Sequence, residues 1–217
     1  MTALRGVICD FGGVLTTPLI EAFAAVQDAS GISVEALGRA MTRVAERDGA
    51  FPLFELETGR MSEHEFVARV GPALQEELDA PVELRSFGET WLANLHPNVE
   101  LIDYMRELRD RGLRMAILTN NVREWEPLWR SKLPVDEIFE VVVDSGFVGM
   151  RKPEPAIYEL TLERIGLDAR ECLFVDDTDV NCDAARELGI TAVWFRDNDQ
   201  AIAEIETALT ARARGRA

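Results

Sequence analysis

Five short apolar runs, unbroken by polar residues, constrain this chain more than any other feature of its sequence. They are rich in β-forming residues and occupy residues 6–9, 115–118, 141–143, 172–175 and 191–195. A strand that is apolar along its whole length is covered on both faces, as in a parallel sheet between two layers of helices. Helical patterns alternate with the later runs, at residues 99–111, 124–132, 154–165, 180–188 and 200–211. We therefore predict an α/β fold with an open, parallel, Rossmann-like sheet.

The interval between the first and second runs contains no convincing strand pattern. It predicts helices over residues 19–30, 34–48, 63–70 and 82–95, with Gly31, Gly49 and Gly71-Pro72 as breaks between them. A crossover between parallel strands needs only about a dozen residues. The interval is far longer than a crossover requires. We therefore predict a helical cap subdomain over residues 19–95, inserted after the first strand into a core formed by residues 1–18 and 96–217.

The charge balance excludes several classes of partner. The chain has 217 residues with 23 Lys and Arg against 39 Asp and Glu, a formal charge of −16. Nucleic acids and anionic membranes attract clustered positive charge, so neither is expected as a partner. Residues 1–10 do not resemble a secretory signal, and no apolar run approaches the roughly 18–20 residues that span a membrane. We expect a cytoplasmic protein in which Cys9, Cys172 and Cys182 form neither a disulfide framework nor a zinc site.

Polar residues follow the predicted strands at the points where the strands end. The segments are Asp10-Phe11-Gly12-Gly13, Thr119-Asn120, Arg151-Lys152 and Asp176-Asp177. Ligands of open α/β sheets bind beyond the carboxyl ends of the strands, so these segments are expected to converge in one crevice. Carboxylates held that close repel each other unless a cation lies between them. Oxygen ligands without a nearby His or Cys favour Mg²⁺, usually together with a substrate phosphate.

Each segment has a plainer interpretation when it is taken alone. Asp10 could be a turn residue after a strand, and Gly12 and Gly13 could mark only a tight turn. Asp176 and Asp177 could stabilise the start of a helix. The functional interpretation therefore depends on the four segments occurring together.

In this order and spacing, the four segments resemble the four motifs of the haloacid dehalogenase-like (HAD) superfamily of aspartate-nucleophile phosphohydrolases. The predicted helical insert resembles the helical cap of that superfamily, and the similarity extends from about residue 6 to residue 195. Residues 176–181 are most similar to the subgroup that includes the N-terminal phosphatase domain of soluble epoxide hydrolase. The resemblance implies a hydrolase that acts on a small phosphorylated metabolite.

The resemblance also implies a role for each matching residue. Asp10 would attack the phosphoryl group and form an aspartyl-phosphate, which water then hydrolyses. Thr119 and Asn120 would hydrogen-bond the phosphoryl oxygens. Lys152 would neutralise charge on the phosphoryl group and the nucleophile.

The implied cofactor is Mg²⁺. Its ligands would be the Asp10 carboxylate, the Gly12 carbonyl and the Asp177 carboxylate. Asp176 would lie beyond these direct ligands, where it orients water around the metal or pairs with Lys152.

The segment Phe11-Gly12-Gly13 contains a departure from the family pattern. Its backbone is implied to approach the phosphate closely, which two glycines permit. Phosphatases of the family usually have a second Asp two residues after the nucleophile, as acid for the leaving group and base for water, but here that residue is Gly12. The phosphatase would then be slow, restricted to good leaving groups, or supplied with a proton by Thr16, Thr17, a cap residue or the substrate. A phospho-ligand or partner-binding domain without turnover is the alternative function, and a haloacid dehalogenase is a weaker one.

Overall fold

The five apolar runs form one parallel sheet in the computed structural model, which describes residues 2–78 and 87–214. The strands are β1 (Gly6–Cys9), β2 (Arg114–Thr119), β3 (Val141–Asp144), β4 (Cys172–Asp176) and β5 (Thr191–Trp194). Their order across the sheet is β3-β2-β1-β4-β5. The predicted α/β fold with an open parallel sheet is therefore confirmed.

Successive residues of the central strand pack into two different cores. Val7 and Cys9 of β1 belong to the core on one face of the sheet, and Ile8 belongs to the core on the other. Because side chains alternate along a strand, an unbroken apolar run is what burial on both faces requires. Cys9 is aligned with Ile117 of β2 and Val175 of β4. This register brings the carboxyl ends of the three central strands to one edge of the sheet.

Helices cover both faces of the sheet. One layer contains α6 (Val99–Asp110) and α12 (Asn198–Arg214), and the other contains α10 (Pro155–Ile165) and α11 (Asp179–Glu187). Shorter elements in the connections are α7 (Glu126–Arg130), α8 (Val135–Ile138), α9 (Ser145–Val148) and 3₁₀ turns at Arg123–Trp125 and Ala169–Glu171. In the part of the chain that the structure describes, no helix combines the length and apolar character needed to cross a membrane.

Between β1 and α6, the elements that the structure describes are all helices. These are α1 (Leu19–Ser30), α2 (Val34–Asp48), α3 (Pro52–Glu57), α4 (Glu63–Leu78) and α5 (Phe87–Ala93). The first two have the predicted bounds, α3 was not predicted, and residues 82–86 of the last predicted helix lie outside the described residues. The chain enters and leaves this interval side by side, because Thr17 N donates to His96 O (2.8 Å) and Asn98 N donates to Leu15 O (3.0 Å). The exact bounds of the cap subdomain stay a prediction.

The predicted end of a helix at Gly71-Pro72 was wrong. Helix α4 runs through Pro72 and ends at Leu78. Proline inside a helix costs about 3 kcal/mol because it removes a hydrogen bond and crowds the preceding turn. Val70 and Leu74 on either side of it are fully buried where α4 packs along α2. Burial of each such side chain stabilises by about 1.5–3 kcal/mol, so the tertiary contact offsets the local penalty.

Candidate active site

A buried lysine bridges two carboxylates at the edge of the sheet. Lys152 Nζ lies 2.7 Å from Asp10 Oδ1 and 2.6 Å from Asp176 Oδ2. Asp10 follows β1 and Asp176 is the last residue of β4, so adjacent strands place the two carboxylates together. Lys152 is only 1% exposed and Asp176 is fully buried. The sheet therefore brings together three of the residues that the sequence analysis selected.

The environment of this cluster shifts the pKa values of its members. Burial raises the pKa of Asp10 to about 7, with the Lys152 ammonium opposing the shift and the Asp176 and Asp177 carboxylates adding to it. Burial alone would lower the pKa of Lys152, but the adjacent Asp10 and Asp176 raise it above its ordinary value. Lys152 is thus a permanent cation, whereas Asp10 titrates near neutral pH.

Asp176 is held by a network that occupies both of its oxygens. Its Oδ1 accepts hydrogen bonds from Thr178 N (2.8 Å) and Asn181 Nδ2 (3.0 Å). Its Oδ2 accepts from Lys152. With both oxygens engaged, Asp176 is suited to positioning Lys152 rather than to direct contact with a ligand.

Gly13 and Asp177 approach each other too closely for any side chain on the glycine. A Cβ atom at Gly13 would lie 2.2 Å from Asp177 Oδ2, and the φ of +78° also favours glycine there. Gly13 N donates to Thr16 Oγ1 (3.1 Å), which holds the turn in place. The glycine therefore lets the backbone after Asp10 pass directly beside the Asp177 carboxylate.

The carboxylates form a donor set that fits a hard divalent cation. Asp10, Asp176 and Asp177 each offer an oxygen, and these oxygens lie within 4.8 Å of one another. Burial raises the pKa of Asp177, as does the charge of Asp176. Carboxylates held this close repel each other, so a cation between them stabilises the cluster, and an all-oxygen donor set suits Mg²⁺.

Thr119 and Asn120 lie beside the same cluster but differ in what their side chains do. Thr119 ends β2 and is almost fully buried at the edge of the cavity described below. The Asn120 side chain binds the backbone of Lys152 in both directions, accepting from its N (2.8 Å) and donating to its O (3.0 Å). These two bonds use the amide oxygen and one amide hydrogen, so the second Nδ2 hydrogen of Asn120 is left as a donor for a phosphate.

The cluster opens into a cavity of about 630 Å³, which the helices between β1 and α6 also line. Gly12 lines it, and a Cβ atom there would lie 3.2 Å from Leu19 Cδ2. The Thr16 hydroxyl, one predicted proton source, donates instead to Thr17 O (3.2 Å). The Thr16 proton is therefore directed at the backbone and not at the cavity.

Glu57 is a cavity residue that the sequence analysis missed. It lies at the end of α3, and its Oε2 is 2.8 Å from Arg151 Nε. The Arg151 guanidinium lies 4.0 Å from the centre of the Phe54 ring. Burial raises the pKa of Glu57, and Arg151 opposes that shift. A proline at the start of a short apolar segment, Pro52, was the available signal for this helix.

The fold and the site together define a class of hydrolase. The model of the haloacid dehalogenase-like hydrolase family matches residues 4–189. This chain belongs to that family, as its four motifs indicated.

Three known proteins illustrate what this chain is similar to. A glyceraldehyde 3-phosphate phosphatase of Pyrococcus abyssi is 38% identical over 41% of this chain. The bifunctional epoxide hydrolase 2 of Sus scrofa is 26% identical over 94% of this chain. The matched segment spans 38% of the length of each of these two relatives. A HAD family enzyme of Bacteroides thetaiotaomicron, solved as a magnesium complex, shares the fold with a TM-score of 0.64 and 24% identity, over 90% of this chain and 94% of that one.

Proposed function

We propose that this protein is a Mg²⁺-dependent phosphatase of a small phosphomonoester, with Asp10 as the nucleophile. The observation that carries the proposal is the buried Asp10 carboxylate beside the Lys152 ammonium, at the point where the sheet edge meets a cavity. The name of the Pyrococcus relative, a phosphatase, supports the same reaction class.

In the first step, an Asp10 oxygen forms a bond to phosphorus while the bond from phosphorus to the alcohol oxygen breaks. The departing alkoxide takes up a proton from a water molecule and leaves as the alcohol. Lys152 neutralises negative charge on the phosphoryl oxygens and on Asp10, while the Thr119 hydroxyl and the second Nδ2 hydrogen of Asn120 donate to those oxygens. Asp176, held by Asn181, keeps the ammonium in place.

In the second step, water attacks phosphorus and the bond between phosphorus and the Asp10 oxygen breaks. Inorganic phosphate leaves and the Asp10 carboxylate is restored. This route divides one difficult substitution into two easier ones.

Mg²⁺ held by Asp10, Asp177 and the Gly12 carbonyl would supply positive charge that favours phosphoryl transfer to a carboxylate. The magnesium complex of the Bacteroides enzyme supports this choice of metal. We place Asp176 outside the direct ligands, because its oxygens already accept from Lys152, Thr178 and Asn181.

The test is phosphate release from a panel of phosphomonoesters, p-nitrophenyl phosphate and acetyl phosphate, in Mg²⁺ or in EDTA. We expect release that requires Mg²⁺ and falls at least about 10³-fold in Asp10→Asn, because the amide cannot act as the nucleophile. Asp183→Asn, on the exposed side of α11, is the matched control and should retain activity. Turnover by Asp10→Asn equal to that of the wild type would overturn the proposal.

A phospho-ligand-binding domain without turnover is the second candidate, favoured by the missing side chain at Gly12. It predicts Mg²⁺-dependent binding of inorganic phosphate, measured by calorimetry, with no release from any ester. Chelator-insensitive chloride release from 2-chloropropionate would instead indicate a dehalogenase.

A further inference from the structure

The cavity beside Asp10 is polar at one end and apolar over most of its remaining wall. The polar end contains Asp10, Thr119, Lys152 and Asp177. Among the described residues, the helices between β1 and α6 contribute one charged side chain to the lining, that of Glu57. Their contributions are otherwise mostly apolar and include Phe23, Leu37, Met41, Leu53, Phe66 and Trp91. Its volume of about 630 Å³ lies within the range of sites for organic ligands.

Helix α2 presents one continuous face to this cavity. Val34, Leu37, Gly38 and Met41 all line it, at the three- and four-residue spacing of a helix face. A Cβ atom at Gly38 would meet no atom within 4 Å apart from its chain neighbours and the backbone of its own helix. The glycine thus leaves space along the wall that a larger residue would reduce.

Two exposed apolar side chains also line the cavity. They are those of Phe54 and Val180, which are 42% and 56% exposed. Exposed apolar side chains that line an apolar cavity lower the cost of admitting an apolar ligand, because they lose water contact when it enters.

We propose that the group released from phosphate is a bulky apolar alcohol that occupies this cavity; this rests on the function proposed above. The phosphate would sit beside Asp10 and Lys152, and the hydrocarbon would extend along α2. A polyhydroxylated leaving group would be disfavoured, because its hydroxyls would lose water and gain few partners on this wall.

A series of n-alkyl phosphates from ethyl to decyl tests the substrate class, since chain length changes while the chemistry of the leaving alcohol stays nearly constant. Complete burial of a methylene is worth about 0.8 kcal/mol, or about fourfold in kcat/KM. With partial burial, we expect kcat/KM to rise at least about tenfold from butyl to decyl phosphate and to exceed that for glycerol phosphate. A flat profile, or a preference for glycerol phosphate, would overturn the inference.

The variant Gly38→Phe tests the location of the alkyl chain. Filling the space along α2 should lower the decyl-to-butyl ratio of kcat/KM at least fivefold, and Gly38→Ala should lower it less. Glu35→Phe places the same ring on the exposed side of α2 and should leave the ratio unchanged. Equal ratios in Gly38→Phe and the wild type would contradict this placement.

Binding of alkylphosphonates, which cannot be hydrolysed at the carbon–phosphorus bond by this route, separates the two proposals. Calorimetry in Mg²⁺ should show decylphosphonate binding at least tenfold more tightly than butylphosphonate. Tighter binding of the long chain without turnover of any ester would refute the phosphatase and retain the apolar ligand. Turnover of acetyl phosphate with no length dependence in either assay would refute the apolar ligand and retain the phosphatase.

Discussion

Arg151 Nε lies 2.8 Å from Glu57 Oε2, so an ion pair joins a helix of the insert to the loop that carries Lys152. The two side chains are 18% and 16% exposed, and both residues line the cavity. The pair therefore connects the apolar wall to the phosphoryl end of the site. This link arises only from the tertiary structure, since 94 residues separate its members in sequence.

Breaking this ion pair should cost more stability than breaking an exposed one. A double-mutant cycle with Glu57→Gln and Arg151→Met should give a coupling energy of about 1–2 kcal/mol, measured by urea unfolding. The control cycle on Arg186 and Asp183, which are 2.7 Å apart but 42% and 64% exposed, should give about 0–0.5 kcal/mol. Equal coupling in the two cycles would mean that burial adds nothing to the Glu57–Arg151 pair.

Replacing Gly13 by alanine should impair metal binding beyond its effect on the backbone. The new Cβ atom would overlap Asp177 Oδ2, so the carboxylate has to move. Gly49→Ala is the matched control, because Gly49 has the same φ of +78° and nothing within 4 Å of its Cβ position. Both variants should lose about 1–2 kcal/mol of stability from backbone strain. Only Gly13→Ala should lose Mg²⁺ affinity by at least tenfold in a calorimetric titration.

Placing an acid at position 12, in the variant Gly12→Asp, should accelerate the hydrolysis of esters with poor leaving groups. The aspartate can be introduced together with Leu19→Ala, because Leu19 Cδ2 is the nearest atom to the new Cβ. Relative to Leu19→Ala alone, Gly12→Asp should raise kcat for an alkyl phosphate by about 10-fold or more and change that for acetyl phosphate little. Gly12→Asn, which cannot exchange a proton, should give no gain. An unchanged alkyl phosphate rate, with Mg²⁺ affinity intact, would show that proton transfer at this position does not limit turnover.

Removing the Lys152 charge should destabilise the metal-free protein and make its stability depend more on Mg²⁺. In Lys152→Met, the buried Asp10 and Asp176 lose their shared cation, which is expected to cost about 3–5 kcal/mol. Mg²⁺ should then raise Tm more in the variant than in the wild type, because it supplies the missing positive charge. The reverse order of the two Mg²⁺-induced shifts, measured by calorimetric scans, would contradict this account of the cluster.

Mg²⁺ affinity should fall as the pH is lowered through 7. As a proposed ligand of the metal, the Asp10 carboxylate has to be ionised, and burial raises the pKa of that group to about 7 in the metal-free protein. Below that pH the metal has to displace a proton, so affinity should drop by up to about tenfold per pH unit and level off above it. Calorimetric Mg²⁺ titrations from pH 5.5 to 8.5 would show this slope. Asp10→Asn should bind Mg²⁺ more weakly, and its affinity should depend less on pH. An equally steep pH dependence in that variant would mean that the metal displaces a proton from a group other than Asp10.

The elements predicted correctly are those in which local sequence and tertiary environment agree. The strand Gly6–Cys9 has its predicted bounds, and so do helices Leu19–Ser30 and Val34–Asp48. The two helices end before Gly31 and Gly49, whose φ values of +74° and +78° suit glycine. The prediction at Gly71-Pro72 was wrong because burial of α4 against α2 outweighed the local preference of the proline.

The sequence by itself determined the order of the strands' polar ends and the family to which the chain belongs. A parallel sheet brings the ends of its strands to one edge, so Asp10, Lys152 and Asp176 could be expected together from their positions alone. Tertiary structure decided which atoms meet: the Asn120 side chain on the Lys152 backbone, Glu57 on Arg151, and an apolar cavity along α2. These contacts join residues distant in the chain, and their geometry depends on how the helices pack, for which local pattern carries no signal.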